Sequence, residues 1–236
     1  SIDFTMCTFS EVYWLLFDNM VFEEAVSFHH CSNIKFIFKN CTFKSSFLST
    51  NLNQIDFMEF ENCTFERGFA LVEGSTVNQH LKFTNCKFVY NEEFLKNPRV
   101  NESQYLIGAL SRIPPYFQFA DNQQEYDLIF KDCYFAGIND STFKNSLYVN
   151  LVHSSFKSLE FNNTVVNVPI DIAFGNISNQ FKFNKSVVNM IVADAINFNA
   201  SNAKLDWKDF EKQKIAIKDS MGRFINGKDI VKSQNK

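Results

Sequence analysis

Glycine and proline are scarce in this chain, 7 and 4 of 236 residues, which excludes a collagen-like or low-complexity polymer. An excess of charge is missing too: 23 Lys and Arg face 26 Asp and Glu, a formal −3. That balance supplies no basic field for nucleic acid, so direct nucleic-acid binding is not expected. No stretch reaches the roughly 18 consecutive apolar residues of a membrane-spanning helix. The longest, such as Val12 to Phe17, are short core-type runs, and no membrane segment is expected in this chain. The chain opens on Ser1 and closes on a polar tail at 231–236. That fits a part excised from something longer, with a signal peptide, a downstream domain or membrane spans lying beyond it.

Motifs that carry chemistry are missing as well. The six cysteines (Cys7, Cys31, Cys41, Cys63, Cys86 and Cys133) include no C-x-x-C pair, which disfavours zinc and a disulfide framework. Five of them precede an apolar residue by two and are expected to point inward as small hydrophobes, a usage that suits a reducing cytoplasm. His29-His30-Cys31 is the one dense group of metal-binding residue types. Alternation along a strand puts His29 and Cys31 on one face and His30 on the other, with no third ligand near in sequence. His80 and His153 stand alone. There is no Gly-rich phosphate loop, nucleophile elbow or Ser/His/Asp spacing. No catalytic residue, cofactor or metal is assigned, and the chain is not expected to be an enzyme. Sequons such as Asn40-Cys41-Thr42 are what an Asn-rich, Ser/Thr-rich composition produces without glycosylation.

What is abundant is phenylalanine, 29 residues, and its placement is periodic. The phrase apolar-x-Phe-x-x-Cys-x-Phe recurs as Phe36-Phe38-Cys41-Phe43, Met58-Phe60-Cys63-Phe65, Leu81-Phe83-Cys86-Phe88 and Leu128-Phe130-Cys133-Phe135. Later copies carry Thr164, Ser186 and Ala203 where Cys stood, so the slot asks for a small side chain. The step between copies is near 22 residues, with one double-length and one stretched step. An apolar pair at i and i+2 leaves one face of an extended backbone. Between the pairs lie Lys39-Asn40, Glu61-Asn62, Thr84-Asn85 and Lys131-Asp132, which is turn chemistry. Each copy therefore turns a corner with both pairs still facing inward. A unit this short cannot bury its own apolar side, so copies stack to share a core.

These residues resemble the pentapeptide-repeat family of bacterial proteins, in which a small residue stands two before a bulky centre. Val26, Cys31, Phe36 and Cys41 fall five apart as small positions, with Phe28, Asn33, Phe38 and Phe43 as centres. The resemblance implies an all-β, right-handed parallel β-helix or solenoid over residues 1–205, with extra residues at the corners. A three-sided β-helix and the strand of a leucine-rich repeat fit the same spacing. Scarce helix-forming segments count against the horseshoe. Residues 206–236 read as a C-terminal helix and polar tail, because Asp206 suits an N-cap and Trp207, Phe210, Ile217 and Met221 follow helical spacing. Val12 to Phe17 is either a first coil or a short helix over the N-terminal end.

The doubled step falls at about 89–126, an insertion of the kind that emerges on one face and carries recognition. Tyr105, Arg112, Tyr116 and Phe117 within it are the candidate protein contacts. Glu59, Glu61 and Glu66 fit a solvated outer face. The expected function is a scaffold that binds another protein or its own copy. The resemblance adds a second possibility, a DNA mimic that occupies DNA gyrase, although −3 is little charge for a mimic. A third is a polysaccharide-active β-helix, which needs acidic and basic residues such as Asp127, Lys131 and Asp132 to cluster on adjacent coils.

Overall fold

A computed structural model describes residues 1–50, 52–67, 69–71, 75–89, 117–119, 125–136, 149–151, 154–172, 175–192, 197–198, 204–205, 216–218 and 223. The chain winds through three rows of strands, and every strand pairing is parallel. Row one holds β2 (Leu15–Asp18), β5 (Ile34–Lys39), β8 (Gln54–Glu61), β11 (Thr76–Thr84), β14 (Tyr126–Lys131), β17 (Ser155–Asn162) and β19 (Asn176–Asn184). Two short strands, β21 (Asn197–Phe198) and β22 (Lys204–Leu205), both pair with β19. Row two holds β3 (Val21–Phe22), β6 (Thr42–Phe43), β9 (Thr64–Phe65), β12 (Lys87–Phe88) and β15 (Tyr134–Phe135). Row three holds β1 (Ile2–Thr5), β4 (Val26–His29), β7 (Phe47–Thr50), β10 (Phe69–Leu71), β13 (Phe117–Phe119) and β16 (Val149–Asn150). The longer strands β18 (Val165–Asp171) and β20 (Val187–Val192) run through rows two and three together, and β23 (Ala216–Lys218) pairs with β20. The fold is thus an all-β parallel solenoid with three strand rows.

The corner between rows one and two explains the two-three-two spacing of the phrase. In β5, Ile34, Phe36 and Phe38 are buried while Lys35, Ile37 and Lys39 face out, the period of a half-buried strand. Asn40 then takes φ 53°, and the same left-handed conformation recurs at Asn62, Asn85, Asp132 and Asn163. Asn and Asp tolerate this region best among residues other than glycine. One left-handed residue adds a single step to the alternation, so Cys41 and Phe43 return to the interior. The corner amides also bond from coil to coil. Nδ2 of Asn85 donates to Oδ1 of Asn62 at 2.8 Å, Asn62 to Asn40 at 3.0 Å, and Asn40 to Asp18 at 2.9 Å. Farther along, Asn163 donates to Asp132 at 2.7 Å.

Inside, the rings form columns. In row one, Phe17, Phe38, Phe60, Phe83, Phe130, Phe161 and Phe183 stack with centroids 4.8 to 5.2 Å apart. Row two stacks Phe22, Phe43, Phe65, Phe88 and Phe135 at 4.3 to 4.9 Å. Between columns the rings meet edge to face: Phe60, Phe65 and Phe69 make three mutual contacts of 5.4 to 5.7 Å at 67° to 89°. Each buried ring contributes on the order of 1.5–3 kcal/mol by burial, and each well-set ring pair about 0.5–1.5 kcal/mol more.

Several expectations need correction. The extra residues that stretch the step do not all lie at corners, because β-bulges inside row one take them. The pairing offset grows from 21 (Ile34 with Ile55) to 22 (Lys35 with Phe57), and from 22 (Ile55 with Val77) to 23 (Phe57 with His80). No helix occurs among the described residues. Ile217, expected on a C-terminal helix, lies on β23 with its main chain opposite Ile191, so ladder pairing overrides its helical spacing. Trp207, Phe210 and Met221 lie outside the described residues. Leu15 to Phe17 belong to β2, which makes the N-terminal run a first coil.

Replacing Asn62 by Ala should cost about 2 kcal/mol in urea unfolding, from left-handed strain and two lost amide bonds. Asn62→Gly should cost roughly half as much, because it loses the same two amide bonds but is spared the left-handed strain. Equal losses would show that left-handed geometry is not what the corner selects.

Candidate protein-binding face

The cysteines are the first place to look for chemistry, and their surroundings hold them inert. Cys63 Sγ lies 3.4 Å from the Phe38 carbonyl, Cys86 3.4 Å from that of Phe60, and Cys133 3.4 Å from that of Phe83. The replacements do the same: Thr164 Oγ1 donates to Phe130 at 3.4 Å and Ser186 Oγ to Phe161 at 2.8 Å. Each of these carbonyls belongs to the row-one phenylalanine of the preceding described coil, and each donor also reaches the carbonyl two residues before it, as Thr164 does to Asn162 at 3.1 Å and Cys133 to Lys131 at 3.3 Å. In the described copies the slot holds a small hydrogen-bond donor, a narrower demand than small size alone, and each donor lies within reach of the carbonyl of a stacked ring. Burial pushes the thiols of Cys31, Cys41 and Cys86 up, so they stay protonated.

The expected placement of His29-His30-Cys31 is corrected in the same way. His30 takes a left-handed φ of 53°, which breaks the alternation. His29 faces outward, 4.0 Å from Asp3, while Cys31 is buried and donates to the Phe4 carbonyl at 3.2 Å. Among the described residues, no three His, Cys, Asp or Glu converge in a metal-binding group.

The outer face of row one is where polar groups gather. His80 Nε2 meets Glu59 Oε1 at 2.9 Å, and its ring lies over Phe57 with centroids 5.5 Å apart. His80 is therefore not isolated: its partner comes from the neighbouring coil, a relation invisible along the chain. Lys39 Nζ pairs with Glu61 at 2.9 Å, a hydrogen bond that raises the lysine pKa. Asp56, the extra residue of a bulge, holds Lys35 at 3.2 Å and accepts from Asn78 at 2.7 Å. Beside these pairs lies a shallow depression of about 210 Å³, lined by Ile37, Glu59, Glu61, Lys82, Thr84 and Lys131 together with Phe60. Glu59 and Glu61 face outward as expected, but they are half-buried where a solvated face was expected. Lys82 escaped notice in the sequence, although its position between the inward Leu81 and Phe83 marks it as outward.

Asp127 and Lys131 lie on β14 in this face, in register with His80 and Thr84. Asp132 does not join them, because it takes the left-handed corner and accepts from Asn163. Of the four candidate contacts, Tyr105, Arg112 and Tyr116 lie outside the described residues. Phe117 is on β13, with its main chain opposite Phe69 and Val149, so the coil resumes there. His153 also lies outside the described residues. Comparison with protein-family models, with curated proteins and with solved structures returns no match.

Under native conditions a maleimide should label Cys7, the one partly exposed thiol, ahead of the other five, which should react only on unfolding. Stability drawn from the raised thiols is fully present below their ordinary value of 9.0. It should fall as pH rises above that value, because the unfolded chain then loses protons that the folded one keeps. Native labelling of Cys63 or Cys86 at the rate of Cys7 would contradict the inert ladder.

Proposed function

We propose that the chain is a non-catalytic scaffold, a Phe-rich parallel solenoid that presents the outer face of row one to a protein partner. One comparison of neighbouring columns carries this reading. The inward column reads Phe38, Phe60, Phe83, Phe130, Phe161 and Phe183, the same residue in every coil. The adjacent outward column reads Ile37, Glu59, Lys82, Ile129, Glu160 and Lys182, so each coil differs from its neighbours and the order Ile-Glu-Lys recurs once. The inward position admits one residue for packing, whereas the outward one mixes apolar, acidic and basic side chains that are left for recognition.

The finer reading, membership of the pentapeptide-repeat family, draws support from the burial of Val26, Cys31, Phe36 and Cys41. Asn33, the expected bulky centre between them, departs from it: the residue is half-buried with φ 56°. A reducing compartment such as the cytoplasm suits a ladder in which the thiols act as hydrogen-bond donors. Ion pairs such as Lys39 with Glu61 in row one and Lys44 with Glu23 beyond row two neutralise carboxylates on the solenoid's surface, which weakens the DNA-mimic alternative.

A second reading has one observation in its favour. The Glu59–His80 pair beside Lys82 and Lys131 brings acid and base together on adjacent coils, as a polysaccharide-active face requires. Two measurements separate the readings. Incubation with acidic polysaccharides and calcium should release no unsaturated product; release that disappears in Lys82→Ala or Lys131→Ala would replace the scaffold by an enzyme. Lys82→Glu with Lys131→Glu should abolish capture of a cross-linked protein partner while shifting unfolding by no more than about 0.5 kcal/mol, the ordinary range for surface changes. Capture that survives this double charge reversal would exclude the face as the contact.

A further inference from the structure

The outward column of row one has an internal order. From β8 to β19 it reads Glu59, Lys82, Ile129, Glu160 and Lys182, one residue per coil, each in register with the next. All five are half-buried. Their charges run minus, plus, zero, minus, plus. Reversed, the series becomes plus, minus, zero, plus, minus, which is its own electrostatic complement. Neither lysine is neutralised within its own chain: Lys82 and Lys182 make no ion pair or hydrogen bond among the described residues. Lys35 and Lys39 on the same face are held by Asp56 and Glu61. The two glutamates each keep an oxygen in reserve, since Glu59 gives Oε1 to His80 and Glu160 accepts from Asn162 at Oε2.

Reversal is what a two-fold axis parallel to the strands imposes when two such faces meet. With the axis over Ile129, that residue meets its own copy, Lys82 meets Glu160 of the second copy, and Glu59 meets its Lys182. By symmetry this makes four opposite-charge pairs around an apolar centre. An axis between Glu59 and Lys82 gives only two such pairs and sets Leu16, the outward residue of β2, against Glu160. An axis along the solenoid sets every charge against itself. In the neighbouring outward column, the axis over Ile129 opposes Thr84 to Asn162 and Glu61 to Asn184, which can hydrogen-bond. Lys131 and Asp127, which flank Ile129 on β14, face their own copies, and that repulsion limits the strength of the contact. Five coils of about 4.8 Å by six residues of about 3.3 Å give roughly 500 Å² of face per copy, about 1,000 Å² in the pair, the lower bound for a specific interface.

We propose that two copies of this chain associate face to face through row one, about a two-fold axis over Ile129. The contact is isologous, so it closes at two copies and does not propagate. This inference rests on the scaffold reading above and names a second copy as the partner that the face receives.

Sedimentation velocity of the whole chain tests it. Mass should rise from one copy to two by about 100 μM and stop there, and the association should weaken roughly tenfold from about 50 to about 500 mM salt. Lys82→Glu places a carboxylate against Glu160 across the axis, and Glu160→Lys places an ammonium against Lys82, so each variant alone should be monomeric. An equimolar mixture of the two should dimerise again, because the changed faces complement each other. Recovery in the mixture also shows that both variants are folded. Lys182→Glu, which finds Glu59 only when the axis lies over Ile129, should weaken association about tenfold or more. A wild-type chain that stays monomeric overturns the proposal. So do a mixture that stays monomeric, Lys82→Glu or Lys182→Glu dimers as tight as wild type, or growth beyond two copies. A monomeric wild type that still captures a partner through Lys82 and Lys131 would leave the scaffold standing without this dimer. Polysaccharide cleavage by a dimer that passes these tests would remove the scaffold and keep the contact.

Discussion

The spacing between parallel strands is the constraint on which the rest depends. Hydrogen-bonded neighbours lie about 4.7–4.9 Å apart, and offset aromatic rings stack comfortably at the same distance. A phenylalanine repeated at one inward position is thus held by its backbone at the separation its ring prefers. The observed centroid distances, 4.8 Å between Phe161 and Phe183 and 4.9 Å between Phe60 and Phe83, satisfy both demands together. Leucine would fill the volume without gaining from that coincidence, which accounts for the unusual composition.

Columns alone do not fix where the chain bends. That task falls to residues beside the rings: a left-handed Asn or Asp sets the corner, and the donor next to it engages the carbonyl of a ring-bearing residue one coil away. Corner and core are therefore coupled. A residue that filled the slot without donating a hydrogen bond would forgo that contact between coils, while the carbonyl keeps its place in the strand ladder.

Much of this was legible in the sequence, and the limits have physical causes. Phe38, Phe60, Phe83 and Phe130 declare a shared interior through spacing, and Asn40, Asn62, Asn85 and Asp132 declare corners through residue type. The bulges are not legible, because an added Asp56 or Gln79 changes a strand's length without changing its composition. The segment around Ile217 misleads because its apolar spacing suits a helix, while an available strand edge decides otherwise. Long-range neighbours were the hardest to foresee. His80 and Glu59 stand 21 residues apart, and their contact exists only because the coils lie in register.

The corner amides all pass their protons in one direction, toward the N-terminus, and each run halts at a carboxylate. Asn85, Asn62 and Asn40 end on Asp18, whereas Asn163 ends on Asp132. Asp132 accepts from Asn163 and carries no amide N–H to hand on to Asn85, so the relay is cut between those two coils. Residues 90–116, the longest stretch of sequence between two described strands, fall within that same interval. A solenoid built in two relayed blocks has a natural seam, and chain spliced in at the seam lengthens the molecule without interrupting either relay.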